Sequence, residues 1–129
     1  MKTAELSMFI IEDDVRFRET FIDVMALRGV DAQGAGSALE GLRLLQELRP
    51  SIIVLDVQLP DIHGLDLCRR IKRMEAFKET PVIFISASSR YADPQDRAGM
   101  FLAGASAFLP KPLTMDRLWA EIEALLKRR

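Results

Sequence analysis

Ile52-Ile53-Val54-Leu55-Asp56 decides the fold, because four consecutive apolar residues stop at a carboxylate. A half-buried strand alternates apolar with polar residues. An unbroken apolar run suits a strand covered on both faces, as in a parallel sheet. Two further runs follow the same rule: residues 8–11 end at Glu12, Asp13 and Asp14, and residues 82–85 end at Ser86. Ligands of open parallel sheets occupy the crevice beyond the carboxyl ends of the strands, so these polar ends are expected to meet there. A carboxylate cluster at that edge suits a metal ion and a phosphoryl group.

Helical patterns separate the runs. Phe17, Phe21, Val24 and Met25 recur at helical steps, and Gly29 supplies a stop. Ser37 with Glu40 reads as a capping box ahead of Leu39, Leu42, Leu45 and Leu48, with Pro50 beyond the last turn. The weakly apolar stretch 30–33 is expected to be an edge strand. Gly64 begins a third helix bearing Leu65, Leu67, Cys68 and Ile71. Pro81 then leads a strand at a position where no interior ladder donor is lost. Asp93-Pro94 opens a fourth helix carrying Ala98, Phe101 and Leu102, which Gly104 ends. A short strand over 106–109 follows, and Thr114 caps a fifth helix with Leu118, Ile122 and Leu125 on one face. The order is (βα)5. Right-handed crossovers then place helices on both faces of a five-stranded parallel sheet, a doubly wound α/β, flavodoxin-like arrangement with strand order 2-1-3-4-5.

The chain of 129 residues fits one domain, 1–129, with a packed core over about 7–127. Its 18 Lys and Arg against 19 Asp and Glu leave a net charge of −1, which favours neither direct nucleic-acid binding nor an anionic membrane. The basic end, Lys127-Arg128-Arg129, reads as a last helical turn complementing the helix dipole. The single cysteine, Cys68, excludes an internal disulfide and points to a reducing compartment; its spacing with Leu65 and Ile71 makes it a packed thiol. Met1 to Leu6 contain no signal core, and no apolar run is long enough to span a bilayer. A cytoplasmic protein is expected.

Ile11-Glu12-Asp13-Asp14, Leu55-Asp56-Val57-Gln58-Leu59-Pro60, Ile85-Ser86-Ala87 and Leu109-Pro110-Lys111-Pro112 together resemble the receiver domain of two-component response regulators. Each piece alone is common. Four at compatible spacings, each at an expected strand end, are specific, and the resemblance covers essentially the whole chain.

The resemblance implies that Asp56 is the phosphoacceptor and that Glu12, Asp13, Asp56 and the backbone carbonyl of Gln58 hold Mg²⁺. Such a cation takes oxygen ligands and needs only one or two carboxylates beside phosphate and water. The same pattern assigns Lys111 and the Ser86 hydroxyl to phosphoryl oxygens, with the Ala87 amide as a further donor, and implies a cis Lys111–Pro112 bond. Asp14, usually acidic in the family without being a ligand, is expected to cap a helix. His63 departs from the Asp or Asn that many receivers place before this glycine and is read as a loop residue without a chemical role.

Family members also imply a switch, in which Ser86 moves toward the phosphoryl group while Phe108 turns inward; Phe108 lacks the hydroxyl many relatives carry there. Met100, Leu102 and Ala107 are expected to make the surface of the fourth helix, fifth strand and fifth helix unusually apolar, fit for a homodimer or an output partner. The phosphoryl donor is expected to be a histidine kinase or histidine phosphotransfer protein, and no conventional enzymatic turnover is expected. Two alternatives stand beside this reading: a degenerate receiver acting only as an interaction module, and a Mg²⁺-dependent phosphatase. The latter usually needs a second Asp where Gln58 stands. No output domain fits after the fifth helix, which leaves a stand-alone regulator and a piece of a longer one equally open.

Overall fold

The computed structural model describes residues 6–127, so Met1 to Glu5 and the Arg128-Arg129 end of the basic tail lie outside the described residues. Its elements are β1 (Ser7–Ile11), α1 (Val15–Leu27), β2 (Asp31–Ala35), α2 (Ala38–Leu44), β3 (Ile52–Asp56), α3 (Gly64–Arg73), β4 (Val82–Ser86), α4 (Pro94–Leu102), β5 (Ala107–Pro110) and α5 (Met115–Lys127). All strand pairs are parallel, in the order β2-β1-β3-β4-β5. The expected flavodoxin-like topology is the observed one.

Period-2 alternation divides the apolar runs between two cores. Phe9, Ile11, Ile53, Leu55 and Phe84 face Ala38, Leu67, Cys68, Ile71 and Met100, so α2, α3 and α4 cover that side. Met8, Ile10, Ile52, Val54, Ile83 and Ile85 face Phe21, Met25, Leu118, Ile122 and Leu125 of α1 and α5. Every residue of β3 and β4 is buried, whereas β2 is mostly not, as an edge strand paired only with β1.

The helix starts are set by side-chain caps. Asp14 accepts from the Arg16 and Phe17 amides, Asp93 from Gln95, and Thr114 Oγ1 from Arg117. Gly29 and Gly104, at φ 77° and 112°, turn the chain after α1 and α4 through the left-handed region that glycine adopts without strain.

Several expectations need correction. Strand β2 lies one to two residues later than 30–33, and α2 ends at Leu44 rather than running to Leu48, with Leu39 exposed instead of packed. The capping box at Ser37 is half formed: its hydroxyl accepts from Glu40, but the neighbouring amides of Ala38 and Leu39 are taken by Asp61 from the loop after β3. In α4 the core-facing residue is Met100. Phe101 is 50% and Leu102 87% exposed.

Candidate functional site: an acidic pocket at the carboxyl edge of the sheet

Register carries the site residues to one edge. Ile11 pairs with Leu55, Asp56 with Ile85, and Ser86 with Pro110, so Glu12, Asp56, Ser86 and Lys111 emerge at neighbouring strand ends. The Glu12 amide continues the β1–β2 ladder by donating to Ala35 O at 3.0 Å, and the Lys111 amide donates to Ser86 O at 2.8 Å. The Lys111–Pro112 bond is cis.

One carboxylate oxygen from each of Glu12, Asp13 and Asp56 lies within 4.8 Å of the others. Glu12 and Asp56 are buried and Asp13 is exposed. Lys111 Nζ reaches into this group, donating to Glu12 Oε1 and, at 3.3 Å, to Asp56 Oδ2. It also sits 4.8 Å from the centroid of the Phe17 ring, whose face favours a cation. Asp56 Oδ1 accepts from the Gln58 amide at 2.9 Å, and Glu12 Oε2 from the Asp14 amide at 3.1 Å.

Three carboxylates against one ammonium leave the pocket with excess negative charge. Burial is the main cause that pushes the Glu12 carboxyl up to about 7; its hydrogen bond to Asp56 adds to this, while Lys111 and the Asp14 amide oppose it. For Lys111, burial works against the charged form, but Glu12 and Asp56 outweigh it and raise its pKa. The arrangement therefore accommodates a divalent cation well. Hard oxygen donors, two of them already desolvated and one open to water, match what Mg²⁺ takes from a protein.

The remaining sequence candidates take different places. Ser86 is buried, and its Oγ accepts from the Ser88 amide at 3.1 Å. Gln58 and Ala87 are exposed at the rim. Phe108 is half-buried on the α4 side, its ring 5.9 Å from that of Tyr91 and tilted by 56°. It lines a groove of about 380 Å³ with Pro94, Arg97, Ala98 and Phe101. The apolar partner surface keeps only Leu102 of its three expected members. Met100 is buried beneath α4, and Ala107 points with Leu109 into the α1/α5 core, since neighbouring residues of a strand face opposite sides. Phe101 replaces them on the exposed face.

Sequence reasoning left His63 in the loop without a structural task and missed two further residues, Asp61 and Arg18. His63 caps α3, its Nδ1 accepting from the Leu65 amide at 3.3 Å, instead of serving only the loop. Asp61 binds the Ala38 and Leu39 amides at 2.9 Å each and so ties the loop after Asp56 to α2. Arg18 reaches from α1 to the Glu12 carbonyl. A cap three residues or fewer away leaves a local signature, as at His63; the long-range bonds of Asp61 and the six-residue reach of Arg18 out of its helix leave none.

The family model for the response regulator receiver domain matches residues 8–123, and the chain belongs to this family of two-component signalling domains. It is similar to the transcriptional regulatory protein AfsQ1 of Streptomyces coelicolor, with 37% identity over 95% of this chain and 52% of that protein. Similarity also extends to RpaA of Synechocystis sp., a DNA-binding dual master transcriptional regulator, with 31% identity over 94% of this chain and 49% of the relative. The chain thus spans about half the length of these curated relatives. Among solved structures, the signal receiver domain of a signal transduction histidine kinase from Syntrophus aciditrophicus superposes with a TM-score of 0.82 at 28% identity, covering 94% of this chain and 89% of that one. No helix among the described residues is long and apolar enough to cross a membrane.

Proposed function

We propose that this chain is a phosphorylation-controlled switch in which Asp56 accepts a phosphoryl group from a phosphohistidine of a histidine kinase or phosphotransfer protein. The observation that supports this reading is the convergence of Lys111, Glu12 and Asp13 on the Asp56 carboxylate. One Asp56 oxygen attacks phosphorus; the new P–O bond forms as the donor's P–N bond breaks, and the electron pair leaves on the imidazole nitrogen, which takes a proton. Transfer of this kind depends on alignment and on neutralising the equatorial oxygens. Lys111 supplies a cation beside the nucleophile, the Ser86 hydroxyl and the Ala87 amide donate to the phosphoryl group, and the Gln58 amide holds one Asp56 oxygen so that the carboxylate keeps its orientation. Glu12, Asp13, Asp56 and the Gln58 carbonyl would hold Mg²⁺, which when bound supplies the positive charge that the pocket lacks.

Ser86 and Phe108 carry the change outward. A phosphoryl group that draws the Ser86 hydroxyl from the Ser88 amide loosens the loop after β4, and Phe108 then turns inward. The α4–β5–α5 face, with exposed Phe101 and Leu102, serves a second copy of the chain or an output protein. Residues 7–127 act as one receiver unit, in a cytoplasmic setting, without direct contact to nucleic acid or membrane.

The test is incubation with a small-molecule phosphodonor and Mg²⁺, read by intact mass. A gain of one phosphoryl group that disappears in Asp56→Asn is expected, with a strong reduction in Lys111→Ala. Multiple turnover of a phosphate ester, or phosphorylation that survives Asp56→Asn, refutes the reading. Sedimentation of the phosphorylated chain with and without Leu102→Asp tests the docking face separately.

A further inference from the structure

We propose that Arg18 is a positioning residue for the acidic pocket: lying against two glycines at the end of β2 and in the bend after it, it holds the Glu12 carbonyl and thereby aims Asp13 at the cation. This rests on the reading that Glu12, Asp13 and Asp56 hold Mg²⁺. Arg18 Nη1 donates to Glu12 O at 2.6 Å. Among the described residues it makes no ion pair, so the guanidinium is committed to a main-chain oxygen. Such charge-assisted bonds are roughly twice as strong as neutral ones.

The path for this side chain exists because two positions lack a Cβ. One built on Gly34 would stand 2.9 Å from both Cγ and Cδ of Arg18 and 3.0 Å from Ile10 Cγ2. Another on Gly36 would stand 3.2 Å from Nη1. Gly34 lies in β2 and Gly36 in the bend just after it, so the backbone leaves room for the arginine on either side of Ala35. On its other side the Glu12 residue is held through its amide by Ala35 O at 3.0 Å. The first residue of the pocket is thus gripped at both its N–H and its C=O.

Asp13 is where this grip matters. It is exposed and, among the described residues, makes no side-chain hydrogen bond that would fix its carboxylate. Its direction comes from the main chain, and the peptide leading into it is the one whose oxygen Arg18 holds. Because a peptide unit is planar, fixing that oxygen fixes the plane from which Asp13 departs.

The experiment is calorimetric titration of the intact chain with Mg²⁺ in four forms: wild type, Arg18→Met, Arg18→Lys and Gly34→Ala. Urea unfolding without divalent cation runs in parallel. Arg18→Met keeps the aliphatic stem and loses the donor; groups that orient metal ligands typically cost about 10-fold or more in affinity when removed, and about 10-fold weaker binding is expected. Arg18→Lys, which keeps a cationic donor, should fall between. Gly34→Ala keeps the arginine but obstructs its groove, and should weaken binding without changing charge. A merely structural arginine would lower the urea midpoint and leave the affinity of the folded protein unaltered. Wild-type affinity in folded Arg18→Met overturns the proposal, and if that variant does not fold, wild-type affinity in Gly34→Ala does so. A wild type that takes up no Mg²⁺ instead removes the cation reading itself, and the role of Arg18 with it.

Discussion

Gly64 offers a measurement of how tightly the end of β3 is fitted to α3. A Cβ at this position would stand 2.6 Å from the Asp56 carbonyl oxygen, 2.6 Å from Val57 Cα and 2.9 Å from Val57 O. All three are main-chain atoms, and none can rotate aside. Carbon atoms pack best at about 3.5–4.0 Å, so the Val57 contact alone demands a shift of about 1 Å. Moving α3 outward by that amount also stretches the bond from the Gly64 amide to Val57 O, now 2.7 Å. Overpacking costs about 1–3 kcal/mol, and the better helix propensity of alanine returns at most about 1 kcal/mol. For Gly64→Ala we therefore expect a net loss of about 2 kcal/mol. With a urea dependence of about 1–3 kcal/mol per molar, the unfolding midpoint should fall by about 1 M. Gly41→Ala is the internal comparison, because its Cβ would meet Ile11 Cδ1 at 2.6 Å, a side-chain tip that can turn. It should cost less than Gly64→Ala, near the lower end of the overpacking range at about 1 kcal/mol. An unchanged midpoint in Gly64→Ala, or equal losses in the two variants, refutes the reasoning.

Three further outcomes are expected. The folded Glu12 carboxyl, raised from 4.5 to about 7, binds its proton more tightly than the unfolded one, so its contribution to stability is lost as pH rises through about 7. Mg²⁺ competes with that proton, and its affinity should increase between pH 6 and 8; calorimetry in buffers of different ionisation enthalpy should show proton release, and a flat profile would contradict the assignment. Asp61 is held below its ordinary value: slight burial opposes ionisation, but the amides of Leu39, Ala38, Asp61 and Ile62 outweigh it. Asp61→Ala should cost about 1 kcal/mol at pH 7, as lost helix caps do, and the gap to wild type should close as pH falls below 3.8, measured by urea unfolding; a gap independent of pH argues against the cap. Burial pushes the Cys68 thiol up to about 11 despite Lys72 and Arg69, so a thiol reagent at pH 8 should label it only after unfolding, and rapid labelling of the native chain would show the packing to be wrong.

What could be read from the chain followed the physics of burial. Strands β1, β3 and β4 are covered on both faces and announce themselves as apolar runs, and each delivers its polar end to the same edge; hence Glu12, Asp13, Asp56 and Ser86 were legible as a group. Edge strand β2 has little to bury, and its limits were misplaced. In α4, Ala98, Phe101 and Leu102 fall at valid helical spacing, yet the helix turns Met100 inward, because a short helix with apolar residues on two sides does not declare which side faces the sheet. Phe108 and Ala107 were separable only once the strand's pleat was known. Asp61 acts across 22 and 23 residues on main-chain amides, and Arg18 bonds a main-chain oxygen six residues back, outside its own helix; neither bond follows a local pattern.

Lys111 and Glu12 are 99 positions apart, yet they share a hydrogen bond at the centre of the pocket. The acids that follow the first strand therefore take their ammonium from the far end of the chain, where the last strand lies beside β4. The charge balance of the pocket is thereby tied to the seating of β5, and a substitution that displaces that strand would leave the carboxylates facing one another without it.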